Sequence, residues 1–197
     1  MRKPISDLAQ VRSGYQFREK VEPDPNGEVS VIQIKDLTPD FCLSMDNLIR
    51  VSPPRSAPYR VQQGDVLFLA RGHRLGAVAI AEPVVDTIAT GFFFILRPSP
   101  LVRPGYLAWA LNQAPFQSRM RPNVRGSHIP LITLGDFEKL EIDLPPLDLQ
   151  EKIESLAALH RRELELSKAI ESKRTHLIES ICRMTARRSS PKPLKKG

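Results

Sequence analysis

Two consecutive prolines, Pro145 and Pro146, divide the chain into two segments of different character. The residues before them, 140–144, alternate apolar and acidic side chains, which is the two-residue period of a half-buried strand. Proline cannot donate to a sheet ladder and keeps the residue before it out of the helical region, so the strand has to end here. Asp148 and Glu151 then place negative charge in the first turns of a helix. The junction predicts a strand-containing domain before it and a helix after it.

The segment after the junction predicts one long helix, because residues 147–184 contain neither glycine nor proline. With Leu149 as position a of a heptad, six of the ten a and d sites are apolar. The helix would be roughly 55 Å long, more than the preceding domain can cover, so part of the apolar stripe needs a partner. The alternative is a helix that folds back on its own domain. The residues expected to pair with a partner are Leu149, Ile153, Leu156, Leu159, Leu166, Ile170 and Leu177.

The segment before the junction predicts a mixed domain. Strands are expected within 29–37, 43–51, 61–70, 77–81, 88–96 and 140–144, a helix at 105–117, loops at 119–130 and elsewhere, and a short amphipathic lead at 1–11. We therefore expect an α+β fold made of a mixed, β-rich domain followed by one long C-terminal helix that pairs in a coiled coil. The expected boundaries are 1–145 for the domain, 146–184 for the helix and 185–197 for a disordered basic tail.

Composition narrows the class of protein. The chain is 41% hydrophobic and 26% charged, which is typical of a globular protein with a core. Cys42 and Cys182 are too few and too far apart for a disulfide framework, which favours a reducing compartment. No apolar run reaches the length of a membrane span, and the first eleven residues lack the apolar core of a signal peptide. We expect a cytoplasmic protein that has no membrane partner.

The net charge of +7 is unevenly distributed. Residues 183–197 carry six Lys or Arg and no acid, whereas residues 87–135 contain no Asp or Glu at all. The five arginines of this acid-free segment are Arg97, Arg103, Arg119, Arg121 and Arg125. Such a segment favours a surface that meets an anion, most often nucleic acid. The alternative is that these arginines lie on separate faces.

Three loops, at 13–18, 71–74 and 119–128, carry side chains that hydrogen-bond phosphates and base edges. Any one of them is an ordinary solvated turn when taken alone, but three loops next to core strands favour one shared binding face. The candidate DNA contacts are Tyr15, Gln16, Arg18, Arg71, His73, Arg74, Arg119, Arg121, Arg125, Ser127 and His128.

The sequence offers little support for catalysis. None of the four histidines stands at metal-ligand spacing with a cysteine or another histidine, and there is neither a phosphate-binding glycine loop with a GKS-type ending nor a recognisable nucleophile turn. Asp65, next to Gly64, is better explained as a turn residue than as a nuclease ligand. We expect no enzymatic activity, no metal and no cofactor. The competing hypotheses are a nuclease with an unrecognised metal-dependent site and a coiled-coil scaffold whose basic tail attracts acidic partners.

Five segments, in their order and spacing, carry a family resemblance over about residues 5–180. They are Leu8-Ala9-Gln10-Val11-Arg12-Ser13-Gly14, Gly64-Asp65-Val66-Leu67, Tyr106-Leu107-Ala108-Trp109-Ala110-Leu111, Gly126-Ser127-His128-Ile129-Pro130, and Leu144-Pro145-Pro146-Leu147 followed by Gln150 and Ile153. Together they resemble the target-recognition half of the DNA specificity subunit of type I restriction–modification systems.

The resemblance implies a target-recognition domain followed by a spacer helix. Family members usually carry two such units in tandem, and their helices form an antiparallel pair that fixes the distance between two half-sites. This sequence holds one unit, so we expect a half subunit that pairs with an identical chain or with a second specificity half. The implied role is non-catalytic: the subunit brings a DNA methyltransferase, and often a restriction translocase, to a bipartite sequence in double-stranded DNA. The basic tail lies outside the family pattern.

Overall fold

A computed structural model divides the chain into two compact units, Met1–Glu154 and a second unit that begins at Ser155. It describes residues 1–53, 56–126 and 129–188, over which the chain forms nine strands and five α-helices joined by loops and short 3-10 turns. The strands are β1 (Arg2–Pro4), β2 (Ala9–Ser13), β3 (Val29–Ile32), β4 (Ile49–Val51), β5 (Val66–Leu69), β6 (Gly76–Ala79), β7 (Thr87–Ala89), β8 (Phe93–Pro98) and β9 (Glu141–Asp143). The helices are α1 (Ile5–Leu8), α2 (Pro104–Asn112), α3 (Ala114–Met120), α4 (Leu134–Glu138) and α5 (Leu147–Arg188). The expected α+β fold with a long C-terminal helix is confirmed.

A four-stranded antiparallel sheet of order β2-β8-β5-β6 forms the centre of the first unit. Strand β5 is buried along its whole length because it has an apolar core on each face. Val66 and Phe68 pack in the cluster that contains α2, while Leu67 and Leu69 pack in a second cluster that contains Ile32. Alternate side chains of a strand point to opposite faces, so a strand between two cores has to be apolar at every position.

Two smaller sheets complete the first unit. In the three-stranded sheet, β3 runs antiparallel to β4 and parallel to β7. In the two-stranded sheet, β1 pairs with β9 and so brings the N-terminus to the diproline junction. The strands expected within 29–37 and 43–51 and the strand before the prolines are thereby confirmed.

Several expectations about local structure are corrected by the structure. The segment 88–96 forms two strands instead of one, because the chain leaves the three-stranded sheet after Ala89 and enters the central sheet at Phe93. The amphipathic lead at 1–11 is helical only in α1, where Ile5 and Leu8 are buried, because the residues on either side pair as strands with β9 and β8. The predicted loop 119–130 begins inside α3 and continues as a 3-10 turn.

The predicted helix 105–117 is interrupted, and α4 was not expected. Gln113 is extended between α2 and α3, and Pro115 stands in the first turn of α3, where a missing N–H does no harm. In the segment 131–137 the Thr133 hydroxyl caps the N-terminus of α4 by accepting a hydrogen bond from the Asp136 N–H.

The side chain of Gln150 holds the first turn of α5 against the rest of the first unit. It is fully buried, and its Oε1 accepts a hydrogen bond from the Arg103 N–H at 2.9 Å. Its Nε2 donates to the carbonyl oxygens of Leu101 at 3.1 Å and Pro145 at 2.9 Å. One turn later, Glu154 accepts a hydrogen bond from the guanidinium of Arg103 at 2.6 Å. The start of the helix is therefore built into the domain.

The predicted long helix is confirmed, and from Ser155 onwards it belongs to the second unit. It extends to Arg188, four residues into the segment expected to be a tail; residues 189–197 lie outside the described residues. Ile153 packs on the core of the first unit, unlike the rest of the predicted stripe. The exposed members of the stripe are Leu149, Leu156, Leu159, Leu166, Ile170 and Leu177. Within the described residues, no helix is long and apolar enough to cross a membrane.

The first testable consequence concerns Gln150. Replacing it with Ala should lower the free energy of unfolding by about 3 kcal/mol, because one backbone N–H and two carbonyls lose their buried partner. The measurement is urea unfolding followed by the fluorescence of Trp109, the single tryptophan of the chain. The control is Lys152→Ala, an exposed side chain in the same turn, for which we expect a change within about 0.5 kcal/mol. Equal effects of the two substitutions would contradict the role assigned to Gln150.

Candidate nucleic-acid interface

Two of the three predicted loops, 13–18 and 71–74, line one cleft of about 350 Å³ in the first unit. The turn 90–92 lies between them, and residues 33–35 contribute a further wall. The charged side chains of the lining are Lys20, Lys35, Arg71 and Glu19, so positive charge exceeds negative by two. Aromatic rings contribute alongside them. A cleft with this charge and with aromatic surface suits an anionic ligand that has planar groups.

Close backbone contact attaches the first loop to the turn 90–92. The Tyr15 N–H donates to the Ala89 carbonyl at 2.8 Å, and the Gly91 N–H donates to the Tyr15 carbonyl at 2.7 Å. A Cβ atom on Gly14 would overlap the carbonyl oxygen of Thr90, so only glycine permits this approach. Tyr15 is further held by edge-on ring contacts with its neighbours Phe17 and Tyr59. The loop is therefore a fixed wall of the cleft.

Arg71 is placed on the opposite side of the turn. Its guanidinium lies over the ring of Phe92, 5.7 Å from the centroid, in a cation–π contact. Its backbone forms a β-bridge with Leu131, and Arg125 forms another bridge with the same residue. Leu131 therefore brings the third loop next to the second. The structure joins Tyr15, Gln16 and Arg71 at one cleft, and Arg125 adjoins them through Leu131.

Other predicted contacts lie elsewhere. Arg74 donates to the carbonyl of Pro39 at 2.7 Å, and its guanidinium lies over the ring of Phe41. Arg119 donates to the carbonyl of Glu141 at 3.1 Å and lines a separate cavity. The expectation of one face shared by all three loops is therefore only partly met. Exposed side chains outside this cleft's lining are Arg18, His73 and Arg121; Ser127 and His128 lie outside the described residues.

The arginines of the acid-free segment are mostly occupied by acceptors from other parts of the chain. Arg97 makes two hydrogen bonds to the carboxylate of Asp65, at 2.9 and 3.0 Å. Arg103 pairs with Glu154, and Arg125 pairs with Asp136 at 3.3 Å. The segment contains no acidic residue, but acidic residues from other parts of the chain lie next to its arginines. The absence of acids along this segment therefore does not by itself make these arginines a free anion-binding surface.

Asp65 is the centre of a buried polar network. The residue is 1% exposed, and it accepts a hydrogen bond from the Gln62 N–H, as expected of a turn residue. The hydrogen bond to Asp65 raises the pKa of Arg97, whereas burial and the nearby charge of Arg97 lower the pKa of Arg12, against an opposing pull from Asp65. Asp65 has a structural explanation. The described residues contain no cluster of three or more His, Cys, Asp or Glu side chains that could hold a metal ion.

Several residues of the cleft were not foreseen from the sequence. Lys20 and Lys35 lie outside the predicted loops, and Phe92 belongs to a segment predicted as a continuous strand. Phe92 is 40% exposed, while the next two phenylalanines are buried. The available signal was Gly91, because a glycine inside a strand pattern indicates a break or a close backbone approach.

A family of known proteins matches most of the chain. Residues 1–173 match the family described as the type I restriction modification DNA specificity domain. The match defines the chain as a DNA specificity domain and indicates no family of enzymes. The chain belongs to this type I restriction–modification family. The comparison with curated protein sequences gives no match.

Solved structures of type I systems share the fold. The S subunit from M. genitalium has a TM-score of 0.57 and 19% identity, over 89% of this chain and 42% of that one. A chain from a study of complex assembly and conformational transition of the type I R-M system has a TM-score of 0.66 and 16% identity, over 92% and 43%. The HsdS subunit from Thermoanaerobacter tengcongensis has a TM-score of 0.57 and 18% identity, over 84% and 38%. The chain thus spans about two-fifths of each of these proteins, and at such identities the likeness concerns the fold.

A second testable consequence concerns the wall formed by the first loop. Gly14→Ala should raise the amide hydrogen-exchange rates of Tyr15 and Gly91 by about tenfold or more, because the new Cβ would separate the loop from the turn 90–92. The matched control is Gly135→Ala, since no atom lies within 4 Å of a Cβ built at that helical position. If the two amides keep their native protection in Gly14→Ala, the loop is not held in the way described.

Proposed function

We propose that this chain is a sequence-specific, non-catalytic DNA-binding subunit. It directs a DNA methyltransferase, and in some assemblies a restriction translocase, to a bipartite target in double-stranded DNA. The observation that best supports DNA contact at a defined place is the cleft where Arg71, Lys20 and Lys35 meet the aromatic loop 15–17. Family membership supports the specificity role.

The cleft offers the two kinds of contact that DNA recognition requires. Lys20 and Lys35 are exposed and have long, flexible side chains, which suit phosphate oxygens and set the position of the protein on the duplex. Arg71 has a planar guanidinium held at a fixed place, which suits bidentate contact with a base edge in the major groove. Arg125 adjoins this cleft through Leu131, but its exposed side chain shares its charge with Asp136, so it adds less positive charge to the surface than Arg71 does.

The apolar stripe of α5 supports the second part of the proposal, a dimer of halves. Leu156 and Leu159 are each 69% exposed, and similar residues follow at heptad spacing. Two chains pairing through these stripes, or one chain pairing with a second specificity half, would bury them. Identical halves related by a two-fold axis would recognise a palindromic sequence interrupted by a spacer, because the symmetry of the protein is mirrored in its site.

Charge reversal in the binding loops tests the proposal. Arg71→Glu and Arg125→Glu should each weaken binding to duplex DNA by about tenfold or more at moderate salt, because each places a carboxylate next to phosphates. The slope of log affinity against log salt should become shallower by about one for each phosphate that the variant no longer neutralises. Fluorescence anisotropy over a salt series measures both quantities, with mass determination to show that assembly is unchanged. The control is Arg2→Glu, which lies in β1 and pairs with Asp143.

The same assay separates the proposal from the scaffold hypothesis. The exposed stripe of α5 alone would also suit a coiled-coil interaction protein, with a basic tail as its only attraction for anions. Deleting residues 185–197 distinguishes the two. If all DNA affinity disappears with the tail and the loop variants behave as wild type, the first unit does not recognise DNA. A DNA affinity that does not change with salt concentration would also contradict the proposal.

A separate prediction concerns self-association. Leu166→Glu should shift the mass measured by sedimentation equilibrium from a pair towards a single chain, because the d position would have to bury a charge. Ser172→Glu is the matched control, since it adds the same charge at position c, away from the apolar seam. Equal association of wild type and Leu166→Glu would exclude the helix as the pairing surface.

A further inference from the structure

We propose that Arg71 and Gln16 recognise two neighbouring base pairs, a guanine contacted by Arg71 and an adenine contacted by Gln16. The inference rests on the proposed function, and it specifies which bases one half-site contains. The two side chains are supported by consecutive residues of the same turn, Phe92 and Gly91. Because their supports are adjacent in the chain, we infer that the two side chains act together in sequence recognition.

Arg71 has the features of a base-contacting arginine. Its side chain is exposed, and the ring of Phe92 beneath it restricts the plane of the guanidinium. Hydrogen bonds fix the backbone on both sides: the Ala70 N–H donates to the Phe92 carbonyl at 2.9 Å, and the Gly72 N–H donates to the Pro130 carbonyl at 2.9 Å. A fixed planar fork matches the O6 and N7 acceptors of guanine, which is the commonest specific contact in protein–DNA complexes.

Arg71 differs from several other arginines of the chain, which pair with acidic side chains. Arg97 and Arg103 are neutralised by carboxylates, and Arg125 shares its charge with Asp136. Within the described part of the chain, Arg71 forms no ion pair with a carboxylate, and its contact is with a ring that leaves its N–H donors unused. Arg74 is a weaker candidate, because the Pro39 carbonyl already accepts a hydrogen bond from its guanidinium.

The position of the Gln16 amide depends on Gly91, which has no side chain to occupy the same space. A Cβ atom at position 91 would overlap the amide group of Gln16, so the amide lies directly against the glycine. Its Nε2 donates to the Gly91 carbonyl at 3.4 Å, which uses one of its two hydrogens. In the part of the chain that the structure describes, the other hydrogen and the Oε1 acceptor have no hydrogen-bond partner. One donor and one acceptor on a planar amide match N7 and the N6 amino group of adenine.

The spacing of the supports fits the spacing of bases. The Cα atoms of Gly91 and Phe92 are about 3.8 Å apart, as in any pair of residues joined by a trans peptide. Successive base pairs of B-DNA are about 3.4 Å apart along the helix axis. The guanidinium and the amide that these residues support line the same cleft, and we expect them to contact adjacent base pairs.

Selection of bound sequences from a pool of random duplexes tests this assignment with the complete chain. Wild-type protein should select a motif that contains a guanine next to an adenine. Arg71→Ala and Arg71→Lys should each reduce the preference for that guanine by about tenfold or more, because Lys lacks the planar fork. Gln16→Ala should reduce the preference for the adenine by a similar factor and leave the guanine unchanged.

Gly91→Ala provides an independent test because it displaces Gln16 without removing it. The backbone at Gly91 is free of positive φ, and the overlapping atoms are the end of a flexible side chain, so the variant should fold. It should lose the same adenine preference as Gln16→Ala. Arg2→Ala, which removes an exposed arginine from β1, should select the wild-type motif.

The outcomes separate this inference from the proposed function. If wild-type protein selects no motif, the specificity function fails and the base assignment fails with it. If a motif is selected but the Arg71 and Gln16 variants leave it unchanged, or alter positions that are not adjacent, only the base assignment is overturned. Loss of guanine preference in Gln16→Ala, or of adenine preference in Arg71→Ala, would also overturn it.

Discussion

The hydrogen bonds of Gln150 are the constraint on which the join between domain and helix depends. A diproline ends β9, and the chain must enter α5 at once, so carbonyl groups near the junction need hydrogen-bond donors that the helix backbone cannot supply. The amide of Gln150 satisfies Pro145 and Leu101 with its donors and Arg103 with its acceptor. An apolar side chain here would leave these three backbone groups without the partner that Gln150 provides. The first two turns of α5 are for this reason part of the domain.

The position of β5 between two cores has a direct consequence for the binding cleft. Arg71 follows β5 after a single residue, and the turn 90–92 precedes β8, the neighbour of β5 in the sheet. Arg71 is therefore attached to β5, which is buried on each face, and the turn is attached to β8. Both strands are paired on each edge. The backbone at the ends of such strands is held in place, so the side chains that it carries are held in place as well. A rigid support of this kind is what base contacts need, because hydrogen bonds to base edges tolerate little displacement.

The sequence predicted those parts of the fold that depend on local pattern. The apolar run of β5, the alternation before Pro145 and the uninterrupted helix were all correctly anticipated, since each pattern fits one kind of element. The split of 88–96 was missed because the chain changes sheets there, and only the partners β3 and β5 reveal it. The sequence predicted some of the residues that line the cleft but not others. Loops 13–18 and 71–74 carried recognisable side chains, whereas Lys35 and the exposed ring of Phe92 join them only through tertiary structure.

The arginines show why charge alone does not locate a binding surface. The longest acid-free segment of the chain indicated an anion-binding face, yet Asp65, Glu154 and Asp136 neutralise three of its five arginines from other parts of the sequence. A guanidinium whose charge is already satisfied gains little from a phosphate, because it would have to lose one partner to bind the other. Arg71, which lies outside that segment, makes no ion pair with a carboxylate among the described residues and is held over a ring. The useful criterion is therefore an arginine that is fixed in place, exposed and without an acidic partner.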